Sequence, residues 1–212
     1  MPVSILILYD PKGPAIEALA QAAVEGVAKA GPAPSFNQAV SKSIFQATTQ
    51  DLLEADGLLL GSPNWSGLTG SLKSWLDEQG DLWEEGSLAG KPGAAFTSGW
   101  GRHSGLEMTL LQLIHWMLAC GMVVVGLPWS DPMRTTGSYY GATAVGGVTD
   151  QDLAQARELG ARASGGRSIA ASRNGYTPFR RHSDSNRSRI SASNSGRSAA
   201  RSLFWEKSSR MS

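Results

Sequence analysis

The spacing of apolar residues changes period repeatedly along this chain, and each change predicts an element. Residues 3–9 (VSILILY) are an apolar run of strand length. Helical spacing follows: Pro14 opens a helix where its missing N–H costs nothing, Ile16, Leu19, Ala23 and Val27 form its stripe, and Gly31 stops it. A weaker strand is expected over 35–40 and a short helical turn over 49–54. Residues 56–61 (DGLLLG) read as a buried strand, 62–67 (SPNWSG) as a loop, and 68–79 as a helix. The pattern then recurs, with a strand over 92–98, a loop over 99–105 and a strongly apolar helix over 106–120. The valine-rich run 122–128 predicts a fifth strand buried on both faces. A long loop and a final helix over 149–164, capped by Thr149 or Asp150, complete the series. Five short strands alternating with helices predict an α/β fold, a parallel sheet covered on both faces.

Composition and charge divide the chain in two. Residues 1–171 hold 10 Lys and Arg against 16 Asp and Glu, a net charge of −6, whereas 172–212 hold 9 against 2, a net of +7. That last stretch has twelve serines and few aliphatic residues, too little apolar surface to offset the entropy of ordering it. The reading is therefore a folded domain over 1–171 and a disordered Arg/Ser-rich tail over 172–212. Binding of nucleic acid or an anionic membrane through phosphate contacts is one use for such a tail. The preferred reading is a solvated extension, a segment folded loosely onto the acidic body, or an appended sequence with no selected function. Cys120 is the only cysteine, which excludes an intrachain disulfide and a cysteine-rich metal site, so no metal is expected. With no secretory pattern at the start and no apolar run of about 18 residues, a cytoplasmic location is expected.

In an open parallel sheet, ligands sit beyond the carboxyl ends of the strands. The loops expected there are 10–14, 62–67 and 97–105, all rich in Gly, Pro, Ser or Trp. Trp65 and Trp100 stand among small residues at the tips of two of them. Small residues let backbone amides approach the edge of a flat ligand, and an indole covers its face. Pinning a loop onto the body is the competing use of each tryptophan.

The segment DGLLLGSPNWSGLTGSLKSWLDEQGDLWEEGSLAGKPGAAFTS resembles the flavodoxin-like NAD(P)H:quinone oxidoreductases of the tryptophan-repressor-binding-protein type. The family pattern is a strand ending in G-[ST]-P-x-x-x-G, a helix ending in F-L-D, then LW…L.GK…F.S. GMVVVGLP and YYGATAVGG (139–147) match as well, and the resemblance covers about residues 3–165. It implies a flavodoxin-like five-stranded parallel sheet of order 2-1-3-4-5. It further implies non-covalent FMN, two-electron transfer from NAD(P)H to a quinone, and a homo-oligomer, a dimer or tetramer. By matching position, Pro63, Asn64, Trp65, Ser66 and Gly67 border the flavin ring. Thr97, Ser98, Gly99, Trp100 and Gly101 border its other edge and the ribityl chain.

The first loop departs from the family. Where members read Y-S-x-x-T-G-N-T and clasp the FMN phosphate, this chain has Tyr9-Asp10-Pro11-Lys12-Gly13-Pro14-Ala15-Ile16. Asp10 sets a carboxylate where a hydroxyl is usual, and Pro11 and Pro14 lack an N–H. Asp10, Lys12 and Gly13 remain the candidate contacts for the phosphate end, with Lys12 able to form an ion pair. The family's paired histidines before the G-M-V strand are Ala119 and Cys120 here. His103 is the candidate proton donor to reduced quinone, against the alternative of a solvated loop residue. His115 reads as a core or subunit-contact residue, Cys120 as a small buried hydrophobe, and Tyr139 and Tyr140 as pocket-lining or packing residues. Two alternatives to the quinone reductase stay open: a flavodoxin-like interaction module with weakened or lost FMN, and a one-electron carrier.

Overall fold

A computed structural model describes residues 3–30, 37–135 and 137–165. The elements are β1 (Ser4–Tyr9), α1 (Pro14–Lys29), β2 (Gln38–Ser43), α2 (Thr49–Glu54), β3 (Gly57–Pro63), α3 (Gly70–Asp77) and α4 (Gly80–Glu85). They continue with β4 (Pro92–Gly99), α5 (Leu106–Ala119), β5 (Val123–Val124), a 3-10 turn (Pro132–Arg134), β6 (Gly141–Val145) and α6 (Asp150–Gly165). The expected tail and Gly31 lie outside the described residues.

The strands lie in the order β2-β1-β3-β4-β5, every pair parallel, with β6 also beside β4. Alternation along each strand sends side chains to two separate cores. Ile5, Ile7, Leu59 and Phe96 pack beneath α1 and α6 with Ile16, Leu19 and Leu159. Leu6, Leu8, Leu58 and Leu60 meet Leu72, Leu110 and Leu113 of α3 and α5 on the other face. β3 is buried along its whole length, as expected of a central parallel strand.

α1 and α6 pack at very short range through reciprocal glycines. A Cβ built on Gly26 would stand 1.8 Å from the Arg157 carbonyl oxygen, and one on Gly160 2.2 Å from the Ala23 carbonyl oxygen. No side chain fits at either position. Thr149 and Asp152 cap α6 reciprocally, each side chain bonded to the other's backbone N–H (3.2 and 2.9 Å). Lys91 donates to the carbonyls of Leu52 and Leu53 at the end of α2 (3.0 and 2.8 Å). Its burial pushes the amine below the usual lysine range, with Asp56 opposing.

Three expectations are corrected. The second strand, expected over 35–40, is seen over 38–43, overlapping the expected span and running three residues beyond it. The helix expected over 68–79 is α3 alone, Gly70–Asp77, because the chain turns at Glu78–Gln79, and the short α4 that follows is unexpected. The fifth strand is not a continuous buried run: only Val123 and Val124 pair, with Pro92 and Gly93, and Val123 is exposed. The rest of that side of β4, Ala95–Gly99, belongs to the unexpected β6. The sheet thus has six strands, the fifth position being shared by two.

Parallel register fixes where the site lies. Tyr9 stands beside Gly61, Pro63 beside Ser98, and Gly99 beside Val145, so the loops after β1, β3, β4 and β6 emerge together.

Candidate active site

Those loops surround a cleft of about 430 Å³, within the size range of ligand sites. Lys12, Gly13, Pro14 and Ala15 line one end. Pro63, Asn64 and Trp65 form one wall, Ser98, Gly99 and Trp100 the other, and Gly146 closes the gap between strands. Trp65 is 69% exposed and Trp100 93%. Neither indole pins its loop to the body, which settles the alternative raised for them. Leaving two such rings in water is costly unless something flat covers them.

Asn64 is what holds the two walls together. Its Nδ2 donates to the Ser104 carbonyl (2.8 Å), and its Oδ1 accepts from the Gly67 amide (3.1 Å) and the Thr109 hydroxyl of α5 (3.1 Å). Its own N–H donates to the Ser98 carbonyl (2.7 Å). The turn this creates is tight, with Ser66 at φ 60° and Gly67 at φ 119°, conformations that L side chains disfavour. Behind the walls, the Thr97 hydroxyl donates to the Ser62 carbonyl (2.7 Å), and the Gly146 amide donates to the Gly99 carbonyl (2.8 Å).

The first loop is organised differently from its sequence reading. Asp10 is fully buried and turned toward the start of α3, where one carboxylate oxygen accepts from the hydroxyls of Thr69 and Ser71, each at 2.5 Å. Its other oxygen has no partner. Lys12 donates to Ser71 (2.6 Å) and lies 3.7 Å from the Asp10 carboxylate. Asp10 is therefore not among the cleft-lining residues, whereas Lys12 and Gly13 are. Gly13, at φ 130°, delivers the chain into α1, whose first amides have no intrahelical acceptor.

The other candidates separate. Ser66 and Gly67 line a neighbouring hollow of about 550 Å³ between α3 and α5, together with Gln112 and His115. Thr97, fully buried, and Gly101 are not on the cleft lining. His103 is exposed and outside the lining. His115 is exposed too, which excludes the core reading. Tyr139 and Tyr140 are exposed and do not line the cleft. Cys120 is buried as expected, and burial pushes its thiol above the ordinary range. Pro14, Ala15 and Gly146 line the cleft without having been singled out. Their position between loop ends was the available signal, since they carry no functional group.

Among the described residues lining the cleft, Lys12 is the one ionisable side chain and Ser98 the one hydroxyl. Such a set is suited to holding a flat molecule with an anionic end and carries no redox group of its own. Among the described residues, no group of three or more His, Cys, Asp or Glu is placed to hold a metal ion, and no helix is long and apolar enough to cross a membrane.

The family model for the NADPH-dependent FMN reductases matches residues 15–132. An NAD(P)H dehydrogenase (quinone) of Acidovorax ebreus is 35% identical over 192 residues, covering 80% of this chain and 96% of the relative. A protein of the same description from Cupriavidus metallidurans is 35% identical over 184 residues, covering 76% and 92%. Among solved structures, the "flavodoxin, WrbA-like protein from Agrobacterium tumefaciens" superposes with a TM-score of 0.60 at 19% identity, covering 81% of this chain and 99% of that one. Flavodoxin 1 from Bacillus cereus superposes with a TM-score of 0.55 at 18% identity, covering 76% and 96%. These two likenesses show that the fold is flavodoxin-like. The family match begins at Ala15, just past the loop that departs from the pattern.

Proposed function

The chain belongs to the NADPH-dependent FMN reductase family, and from that premise we propose that it is an FMN-dependent enzyme that reduces quinones with NAD(P)H. The observation that carries this reading is the pair of exposed indoles, Trp65 and Trp100, facing a cleft built at the carboxyl ends of parallel strands. The residues present fit FMN. The walls at Pro63, Asn64, Ser98 and Gly99 carry small side chains or none, which lets backbone border a flavin edge. At the far end, Lys12, Gly13 and the open amides of α1 offer positive potential to a phosphate.

The chemistry a bound FMN supplies is two-electron transfer from nicotinamide to quinone. The chain's part is to hold and orient it: Asn64 fixes the walls, the indoles shield the ring from water, and Lys12 meets the anionic end. His103, exposed beside the second wall, is the proposed proton donor to the reduced quinone. Self-association into a homo-oligomer is proposed through α5, where Met108, Leu111, His115 and Leu118 form an exposed stripe at helical spacing. The single buried thiol is in keeping with a cytoplasmic location.

The test uses the full chain mixed with FMN, NADH or NADPH, and benzoquinone. Loss of nicotinamide absorbance with equimolar hydroquinone formation is expected, and no turnover with either nicotinamide refutes the activity. The donor-poor first loop favours a second reading, an interaction module with weakened FMN binding. Failure of the full chain to quench FMN fluorescence, measured without nicotinamide or quinone, would favour it over the reductase.

A further inference from the structure

The polar network under the first loop engages Lys12, the one cation lining the cleft among the described residues. Lys12 is half exposed and lines the anion end, yet its ammonium donates to Ser71. Ser71 in turn donates to Asp10, which has no exposure at all and also accepts from Thr69. Thr69 accepts from the Leu72 amide (3.3 Å), so the carboxylate is seated against the first turn of α3. The backbone reinforces this, with the Asp10 amide bonded to the Gly61 carbonyl and the Lys12 amide to the Asp10 carbonyl. Asp10 is thereby fixed, and the negative charge it holds lies 3.7 Å from the Lys12 ammonium.

We propose that Asp10 is a positioning residue that sets how strongly the cleft prefers a phosphorylated flavin over an unphosphorylated one. It acts by holding the Lys12 ammonium back, directly and through Ser71. The inference rests on the reading of the cleft as a flavin site. A phosphate arriving at the end of α1 finds no side-chain hydroxyl from Gly13, Pro14 or Ala15, and Pro14 gives it no amide. Lys12 is the one lining side chain able to form a charged contact with it, and that contact must compete with an ion pair already made. The phosphate also feels the charge of Asp10 itself. Both effects lower affinity for the phosphate and leave the contacts available to the ring at Trp65 and Trp100 unchanged. The preference for FMN over riboflavin is accordingly small in the native chain and hangs on one side chain.

The experiment is a titration of the full chain with FMN and with riboflavin, followed by quenching of flavin fluorescence, in the native protein and three variants. Asp10→Asn keeps an oxygen for Thr69 and Ser71 but removes the charge, and is expected to raise FMN affinity about tenfold with riboflavin unchanged. Lys12→Met, at a half-exposed position, is expected to cut FMN affinity several-fold, enough to erase the small native preference, again with riboflavin unchanged. In the double variant, the part of the gain from Asp10→Asn that runs through Lys12 disappears, and only the direct effect of the Asp10 charge on the phosphate remains. If Asp10→Asn weakens both flavins together, or changes neither, Asp10 is a structural residue and the proposal fails. It fails equally if Lys12→Met retains the native FMN preference, which decides the matter even where the Asp10 variant does not fold. Binding of neither flavin to the native chain overturns the flavin site itself and this inference with it.

Discussion

Replacing Asn64 with Ala tests whether the cleft is held together by one amide. The side chain makes three bonds that the substitution removes, to the Ser104 carbonyl, the Gly67 amide and the Thr109 hydroxyl. At about 0.5–1.5 kcal/mol net for each, the simple sum spans about 1.5–4.5 kcal/mol. Water can reach Ser104 and Gly67 at the rim, and Thr109 keeps an acceptor in the Gly105 carbonyl (3.3 Å). The expected loss therefore falls toward the lower half, about 2 kcal/mol. In urea this is a lower midpoint with an unchanged slope, and in a thermal scan a fall of about 4–8 °C. Asn64→Asp is the companion variant: it still accepts from Gly67 and Thr109 but has nothing to donate to Ser104, so it should fall between native and Ala. Because Pro63 and Trp65 flank the amide, riboflavin affinity should fall in the same order. A stability within about 0.5 kcal/mol of native, with undiminished riboflavin binding, would refute the claim that this side chain joins the walls.

Three further outcomes are expected. Trp100→Ala should leave urea stability within about 0.5 kcal/mol of native, since the ring is 93% exposed, while riboflavin affinity falls about tenfold by fluorescence titration; equal binding would remove the indole from the site. Gly160→Ala would gain about 1 kcal/mol of helix propensity on an open surface, but here the new methyl meets the Ala23 carbonyl oxygen at 2.2 Å. A net loss of about 2 kcal/mol is expected by urea unfolding, and a stabilised variant would contradict the packing of α1 on α6. The hydrogen bond from Lys42 holds the Asp51 carboxyl below its ordinary value of 3.8, aided by Thr48 and opposed by burial. Its contribution is full above that value and is lost as pH falls through the lower folded-state value. Asp51→Asn should flatten that acid limb in a pH series of urea midpoints, and an unchanged limb would assign it to other carboxyls.

The elements that were legible in the sequence are those whose pattern and partner agree. β1, α1, β3, β4 and α5 carry apolar runs or stripes, and their neighbours use the whole run. The valines of 122–128 carry just as strong a strand signal, yet pairing needs a free partner, and β6 already holds Ala95–Gly99 of β4. β6 itself (GATAV) is too small and short to announce a strand. It fits because Gly141 lies against the Ala95 carbonyl, where a Cβ would come within 1.9 Å, a contact between residues distant in the chain. In the site, Pro63, Asn64, Trp65, Ser98, Gly99 and Trp100 were readable as loop residues at strand ends. The direction of Asp10 was not, because it is decided by Thr69 and Ser71, some sixty positions away. Ser66 and Gly67 belong to the right loop but face its other side, a consequence of the positive φ angles there.

The division of the fifth position between a two-residue and a five-residue strand also bears on how this protein meets its own kind. An exposed sheet margin invites strand addition from a second chain, and long flat margins invite it most. Here one margin is broken into β5 and the largely buried β6, and the opposite one, β2, carries the charge of Lys42 within its six residues. Neither offers a long apolar template of free amides and carbonyls. The self-association proposed above would therefore use side-chain faces such as that of α5 rather than backbone pairing, and would be limited in number.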